Sequence, residues 1–282
     1  MGAVRRRVVF SLLTGSMLLM ACRPDPPPPI QPIPPAASSE SAPASESPDP
    51  TPPSSAASSS EPSAPAKTGK VIVLDPGHNG GNGSHAAEIN KQVPAGRGQT
   101  KPCNTTGTST NAGYPEHAFT FDVAKRVSAA LTAKGIKVIM TRQDDSGVGP
   151  CVDKRAAAGN SANADAVISI HADGSNSAGA HGFHVAYSSP PLNAQQGEPS
   201  TRLARALRDG IRDAGIPTST YLGQAGLAPR ADLAGLNLST RPAALVECGN
   251  MRNADEAAAM ASPEGRQRYA SAIAAAIEAY LA

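Results

Sequence analysis

Short apolar runs that alternate with helical patterns are the feature that most limits the fold of this chain. The apolar runs predict β-strands at residues 71–74, 137–141, 166–171, 182–187 and 243–247. The helical patterns cover residues 115–133, 152–162, 200–214, 254–260 and 264–281. Strands that alternate with helices build parallel sheets whose faces are covered by those helices. We therefore predict a single α/β domain with a mostly parallel, twisted sheet flanked by helices on both faces.

The first residues of the chain do not belong to this pattern. Residues 1–22 begin with a basic cluster, Arg5, Arg6 and Arg7, followed by an apolar run that is too short to span a bilayer. This arrangement predicts a secretory signal peptide. Its end, "LLMAC", resembles a lipobox, so we expect cleavage before Cys22 and a lipid anchor on that cysteine. The alternative is an ordinary signal peptide cut nearby, with Cys22 removed or left free.

The next segment, residues 23–67, has the composition of a linker. It holds 15 of the 27 prolines, many serines and alanines, and no aromatic residue. Such a segment buries too little apolar surface to offset its ordering entropy, so we predict a disordered tether. All of the chemistry is then expected in one catalytic domain, residues 68–282.

Charge and aromatic content exclude one class of partner. The signal peptide carries a charge of +3 and the linker a charge of −3, so residues 68–282 carry the net +2 of the whole chain. The chain also contains no Trp that could stack on bases. A nearly neutral domain lacks the electrostatic footprint that nucleic acids require. We therefore expect no nucleic-acid partner.

Two predicted strands end in histidine. The run "VIVLDPGH" delivers His78 after a Pro-Gly turn, and the run "AVISIHAD" delivers His171. One histidine at a strand end is more often structural than functional. Ligands of open α/β sheets bind at the carboxyl ends of the strands, however, and two parallel strands can place both imidazoles at that edge.

A carboxylate is predicted to join them. Glu116 opens a helix and lies three residues before Phe119, on the inward apolar stripe. The helix dipole is too weak to compensate burial of this charge without a cation. A solvent-exposed glutamate in the first turn is the alternative. Two histidines and one carboxylate are the protein ligands of a catalytic zinc, which leaves one position for water.

A further carboxylate follows a third apolar run. The segment "PAALVECGN" places Glu247 at a strand end. Hydrolysis beside a metal requires a non-ligand carboxylate that takes a proton from water and passes it to the leaving nitrogen. The alternative is a structural ion pair with Arg142, Arg155 or Arg230.

Cysteine positions suggest one disulfide bond. Cys103 lies in a long stretch without periodicity, residues 79–113, which we interpret as a functional or disordered loop, and Cys151 lies in a second Gly-rich connection. Three pairings are formally possible among these two and Cys248. We favour Cys103 with Cys151, because Cys248 follows a buried strand and is expected to pack as a small hydrophobic residue.

Four segments together resemble the signature blocks of zinc-dependent N-acetylmuramoyl-L-alanine amidases of the Amidase_3 family: "VLDPGHNG", "PEHAFTFDVAKRV", "VISIHAD" and "PAALVECGNMRN". The resemblance covers residues 71–282. It implies that His78, Glu116 and His171 bind Zn²⁺ and that Glu247 is the catalytic base. It further implies a monomeric enzyme of the cell envelope that acts on peptidoglycan or muramyl peptides, with structural roles for two arginines, Arg142 and Arg155.

The chain also departs from the family pattern. The loop after the first block is long and carries His85, Glu88 and His117 nearby, so an exchange of ligands is an alternative. A zinc carboxypeptidase or endopeptidase of the stem peptide would use the same metal on another bond. A wall-binding lipoprotein without catalysis is a third hypothesis, which the presence of Glu247 disfavours.

Overall fold

The computed structural model describes residues 69–282, in which a six-stranded sheet carries helices on both faces. The predicted signal peptide, the linker and Cys22 lie outside the described residues. The strands are β1 (Val71–Pro76), β2 (Gln92–Gly96), β3 (Gln99–Pro102), β4 (Lys137–Met140), β5 (Ala166–Asp173), β6 (His184–Ser188), β7 (Leu227–Arg230) and β8 (Ala243–Asn250). The α-helices are α1 (Ala86–Ile89), α2 (Glu116–Thr132), α3 (Val152–Ser161), α4 (Glu198–Asp213), α5 (Ala234–Asn237), α6 (Ala254–Ala261) and α7 (Pro263–Leu281).

The sheet has the strand order β4-β1-β5-β8-β6-β7. Neighbouring strands from β4 to β8 are parallel, whereas β6 pairs antiparallel with β8 and parallel with β7. The prediction of a mostly parallel sheet flanked by helices is confirmed. The carboxyl ends of β1, β5 and β8 therefore meet at one edge.

All of the predicted strands and helices are present, with boundaries shifted by a few residues. The interpretation of residues 79–113 as a loop was incomplete, because this stretch folds into a short helix, α1, and an antiparallel hairpin of β2 and β3. Strand β7 and helix α5 were also not predicted. These elements are short and carry few large apolar residues, so periodicity gave no signal for them.

One sheet face, called here the core face, packs against α2, α4 and α7. Its side chains are large and apolar, and residues such as Ile72, Ile168 and Val246 have no exposed surface. Helix α2 contributes the predicted stripe at steps of four, and all of its members are fully buried: Phe119, Val123, Val127 and Leu131. This face supplies most of the hydrophobic core.

The opposite face, called here the cleft face, packs against α3 and α5, and the β2–β3 hairpin contacts both of these helices. Its apolar cluster is small and includes Val73, Val167 and Leu236. Because the cover is thin, the carboxyl ends of the central strands remain accessible on this side. No helix within residues 69–282 is long and apolar enough to cross a membrane.

Candidate metal centre

His78 occupies the turn that leaves β1. Its backbone adopts a φ of 59°, in the left-handed region that non-glycine residues rarely use. Arg155 supports this turn from inside the protein, since its guanidinium donates to the carbonyl oxygens of Pro76 at 2.6 Å and His78 at 2.8 Å. Strained backbone of this kind persists only where the surroundings hold it, which favours a functional position.

Glu116 is the first residue of α2, follows Pro115 and is buried. Its Oε1 lies 3.1 Å from His78 Nε2 and 3.0 Å from His171 Nδ1. The backbone amide of Ala172 donates to the same oxygen at 3.1 Å, and that of Thr108 donates to Oε2 at 2.9 Å. The carboxylate is thus fixed on several sides and faces both imidazoles.

The imidazole of His78 is oriented by the loop that precedes α2. Its Nδ1 lies 3.0 Å from the carbonyl oxygen of Thr105, a contact that turns Nε2 toward Glu116. Histidines that bind a metal through one ring nitrogen typically hydrogen-bond a protein oxygen through the other.

The three side chains fit a metal ion. His78, Glu116 and His171 each offer one ligand atom, and all three atoms lie within 4.8 Å of one another. Two imidazoles and one carboxylate suit Zn²⁺, which takes three protein ligands at catalytic sites. This geometry brings together the three residues that the sequence predicted as ligands.

Two glycines allow this close approach. A Cβ atom on Gly77 would lie 2.3 Å from Cε1 of His171. At Gly107, with a φ of +77°, it would lie 2.8 Å from Glu116 Oε2 and 2.9 Å from His78 Cδ2. Any larger residue at either position would displace a predicted ligand.

Electrostatics favour an ionised Glu116. Burial alone would raise its pKa, but the charge and hydrogen bonds of His78 and His171 outweigh burial and hold the pKa well below its usual range. The carboxylate is therefore ready to bind a cation over the whole physiological pH range.

Glu247 lies on β8 beside this cluster. In the sheet it is the register partner of His171 on β5 and of His184 on β6. Burial, together with the charges of Glu116 and Asp173, raises its pKa well above the usual range of a carboxyl group. A raised pKa suits a group that takes and returns a proton near neutral pH.

The structural alternative for Glu247 was an ion pair with an arginine. Within residues 69–282, Oε2 of Glu247 is buried without a hydrogen-bond partner. The three candidate arginines pair elsewhere: Arg142 with Asp145 at 2.9 Å, Arg155 with Asp75 at 2.8 Å and Arg230 with Asp232 at 2.6 Å. A buried, unpaired carboxylate oxygen costs stability, so its presence here favours a role in chemistry.

The other histidines near the first block lie outside the cluster. His85 is exposed and its Nδ1 contacts the carbonyl oxygen of Gly81 at 2.8 Å, while Glu88 is also exposed. His117 pairs with Asp145 at 2.8 Å. The geometry therefore does not support the exchange of ligands.

A cleft of about 200 Å³ opens beside these residues on the cleft face. His78, His171 and Glu247 lie on its floor, and the walls are residues of β3, α3 and α5. A molecule bound in the cleft would therefore lie beside His78, His171 and the carboxylate of Glu247.

The sequence model of the family described as N-acetylmuramoyl-L-alanine amidase, Amidase_3, matches residues 72–279. The chain belongs to this family. It is 51% identical over 214 residues to the N-acetylmuramoyl-L-alanine amidase Rv3717 of Mycobacterium tuberculosis, a match that covers 76% of this chain and 87% of the relative.

Solved structures of the family share this fold. The amidase Ami1 from Mycobacterium smegmatis superposes with a TM-score of 0.73 at 54% identity, covering 76% of this chain and 97% of that one. Ami1 from Mycobacterium abscessus gives 0.73 at 56% identity, with 76% and 99% coverage. The more distant AmiC2 of Nostoc punctiforme gives 0.58 at 26% identity, with 75% and 97% coverage.

In this Amidase_3 domain the two arginines of the motifs have the structural roles that the sequence predicted. Arg142 is buried and donates to the carbonyl oxygens of Pro76 at 3.1 Å and His117 at 2.8 Å. Arg155 binds Asp75 and the turn at His78. The predicted disulfide is also present, with Cys103 and Cys151 joined at 2.09 Å, and Cys248 is free and buried.

The sequence of this Amidase_3 chain does not point to the residues that hold the candidate ligands. Thr105, Gly107 and Thr108 lie within residues 79–113 and contact His78 or Glu116, and Asp75 pairs with Arg155, which supports the turn at His78. The signal available for them was the concentration of Gly, Asn and Thr before α2, which marks a loop but does not identify the atoms that contact the site.

Proposed function

We propose that this chain is a metal-dependent peptidoglycan amidase that cleaves the bond between N-acetylmuramic acid and the L-alanine of the stem peptide. The observation that carries the proposal is the convergence of His78, Glu116 and His171 within 4.8 Å, with Glu247 on the neighbouring strand. The names of its relatives support the choice of bond.

The residues of the chain divide the work. His78, Glu116 and His171 would hold Zn²⁺, which, when bound, polarises the amide carbonyl and lowers the pKa of water. Glu247 accepts the proton of the attacking water and then donates it to the leaving amine of L-alanine. The bond from His78 to Thr105 keeps that ligand oriented during these steps.

We further propose that the protein works outside the cytoplasm, in the cell envelope. A disulfide between Cys103 and Cys151 persists in oxidising compartments, and the predicted signal peptide agrees with export. The lipid anchor at Cys22 belongs to the same proposal.

The test combines metal analysis with product analysis. We expect one equivalent of zinc per chain, loss of activity on chelation, and recovery when zinc is returned. Mass spectrometry of digested muropeptides should show intact stem peptides separated from glycan. Cleavage between amino acids of the stem would instead identify an endopeptidase or carboxypeptidase, and wall binding without any released fragment would identify a non-catalytic lipoprotein.

A further inference from the structure

A lysine on the wall of the cleft has no part in the chemistry described above. Lys101 lies near the end of β3, is half-buried and lines the cleft together with His78, His171 and Glu247. Its Nζ donates to the backbone carbonyl oxygen of Asp232 at 3.2 Å. A backbone carbonyl uses one ammonium hydrogen and leaves two for another acceptor.

Two charged groups near Lys101 already have partners. Asp232 accepts two bonds from Arg230, at 2.7 and 2.6 Å, and the buried Arg155 pairs with Asp75 on the cleft floor. Within residues 69–282 Lys101 forms no salt bridge, so its ammonium group remains available to pair with an anionic ligand in the cleft.

The lysine is held in position by the anchors of its hairpin. Arg97, in the turn between β2 and β3, donates to the Ala231 carbonyl oxygen at 3.1 Å and to the Ser188 hydroxyl at 3.1 Å. Two residues after Lys101, Cys103 is bonded to Cys151 at the start of α3. The hairpin is therefore fixed on both sides of Lys101, and it holds this residue in the wall of the cleft.

The two sides of the scissile amide differ in charge. In a muramyl peptide the lactyl carboxyl is consumed in the amide and the sugar rings are neutral, whereas the stem peptide carries free carboxylates. We propose that Lys101 binds a carboxylate of the stem peptide and so sets the peptide along the β2–β3 wall, with the glycan on the opposite side. This inference rests on the proposed amidase function and adds a specificity-determining residue to it.

The test uses muramyl-L-alanyl-D-glutamate with both carboxyl groups free or with both converted to carboxamides. We expect wild-type kcat/KM to be about fivefold higher for the free acid, the effect of one partly exposed ion pair. Lys101→Met should lower kcat/KM for the acid about fivefold, mainly through KM, and leave the amidated compound unchanged. Lys101→Arg should retain the preference.

A matched control and a binding measurement complete the design. Lys91→Met removes an exposed lysine that does not line the cleft, and should leave the preference intact. In calorimetry the dipeptide L-alanyl-D-glutamate should bind wild type more tightly than its diamide, and Lys101→Met should remove that difference.

Two results would overturn the proposal. One is that wild type shows the same kcat/KM for acid and amide and the same affinity for the dipeptide and its diamide. The other is that Lys101→Met keeps the preference of wild type for the free acid. Failure of the amidase function has a different signature. Zinc-loaded wild type would then cleave neither compound, while the binding measurement would still report on Lys101.

Discussion

The core face and the cleft face of the same sheet are built on opposite principles. Residues of β1 and β5 that point to the core face, such as Leu74 and Ile170, are apolar and fully buried. Their neighbours on the cleft face include Asp75 and Ser169, which are almost as buried but polar. A single strand thus serves a hydrophobic core on one side and a polar site on the other, because successive side chains alternate.

The cleft face keeps these polar groups by pairing them. Asp75 accepts bonds from Thr141 at 2.6 Å, from Ser169 at 2.8 Å and from Arg155 at 2.8 Å. Glu247 differs, since its Oε2 has no partner within residues 69–282, and Nδ1 of the neighbouring His184 on β6 is also unpaired there. Apolar burial is therefore concentrated on the core face, while the unpaired carboxylate that is available for chemistry lies on the cleft face.

The largest effect is expected at Glu247. Glu247→Gln removes the proton acceptor, so amidase activity should fall by about 10² to 10⁴-fold. The metal-free protein should unfold with equal or higher free energy, because the substitution removes a carboxylate whose burial raises its pKa. Activity assays, zinc analysis and denaturant titration check this, and more than a tenth of wild-type activity in a zinc-loaded variant would contradict the assigned role.

Arg155→Met should cost stability and function together. It leaves the buried Asp75 without its cation, which typically costs about 3–5 kcal/mol, and it releases the turn at His78. We expect a lower denaturant midpoint and weaker zinc binding in the fraction that folds. Arg212→Met, at an exposed arginine of α4, is the control and should change stability by less than about 0.5 kcal/mol. Unchanged zinc affinity in folded Arg155→Met would show that the turn does not depend on this arginine.

Leu207→Ala tests the core face alone. Leu207 is fully buried on α4, so the cavity should lower the free energy of unfolding by about 2–5 kcal/mol. Zinc affinity and kcat/KM of the folded protein should remain at wild-type values. Thermal unfolding with and without zinc reports the stability and the zinc affinity, and an activity assay gives kcat/KM. A loss of zinc affinity as large as that of Arg155→Met would show that the two faces do not differ in this respect.

The smallest expected effect is the loss of folding stability at low pH that depends on Asp75. Burial raises the pKa of Asp75, but the charge of Arg155 and the hydrogen bonds from Thr141, Arg155 and Ser169 outweigh burial and hold that pKa below its usual range. A depressed pKa in the folded state contributes stability above the unfolded value near 3.9, and that stability is lost as the pH falls through the folded value.

Wild type should therefore lose more stability than Asp75→Asn between about pH 4 and pH 2, and the two should change in parallel above about pH 5. Denaturant titrations across this pH range provide the measurement. Asp213→Asn, at an exposed aspartate, should keep the slope of wild type. Identical slopes for wild type and Asp75→Asn would show that this carboxylate is not a source of acid sensitivity.

The predictability of the molecule follows the same division. The core face was predictable, because the apolar strand runs and the stripe of α2 carry clear signals in the sequence. The candidate ligands and the candidate base were also predictable, since His78, His171 and Glu247 follow apolar runs and Glu116 opens a helix.

What the sequence did not reveal depends on contacts between distant segments. The β2–β3 hairpin contains Pro94 and few apolar residues, and its position is set by Arg97 through bonds to residues about 90 to 140 positions away. Nothing local distinguishes Arg97 or Lys101 from other surface cations. The group that orients His78 is the backbone carbonyl of Thr105. Because every residue has a backbone carbonyl, its role cannot be predicted from the residue type.

The disulfide between Cys103 and Cys151 has a consequence for how relatives of this chain can diverge. The disulfide attaches the end of the segment that connects β1 to Cys103 to the beginning of α3. Thr105, which orients His78, follows two residues after Cys103. Insertions or deletions before Cys103 therefore reshape the wall of the cleft while the imidazole keeps its support. Evolution can in this way vary what the cleft admits without rebuilding the centre that performs the reaction.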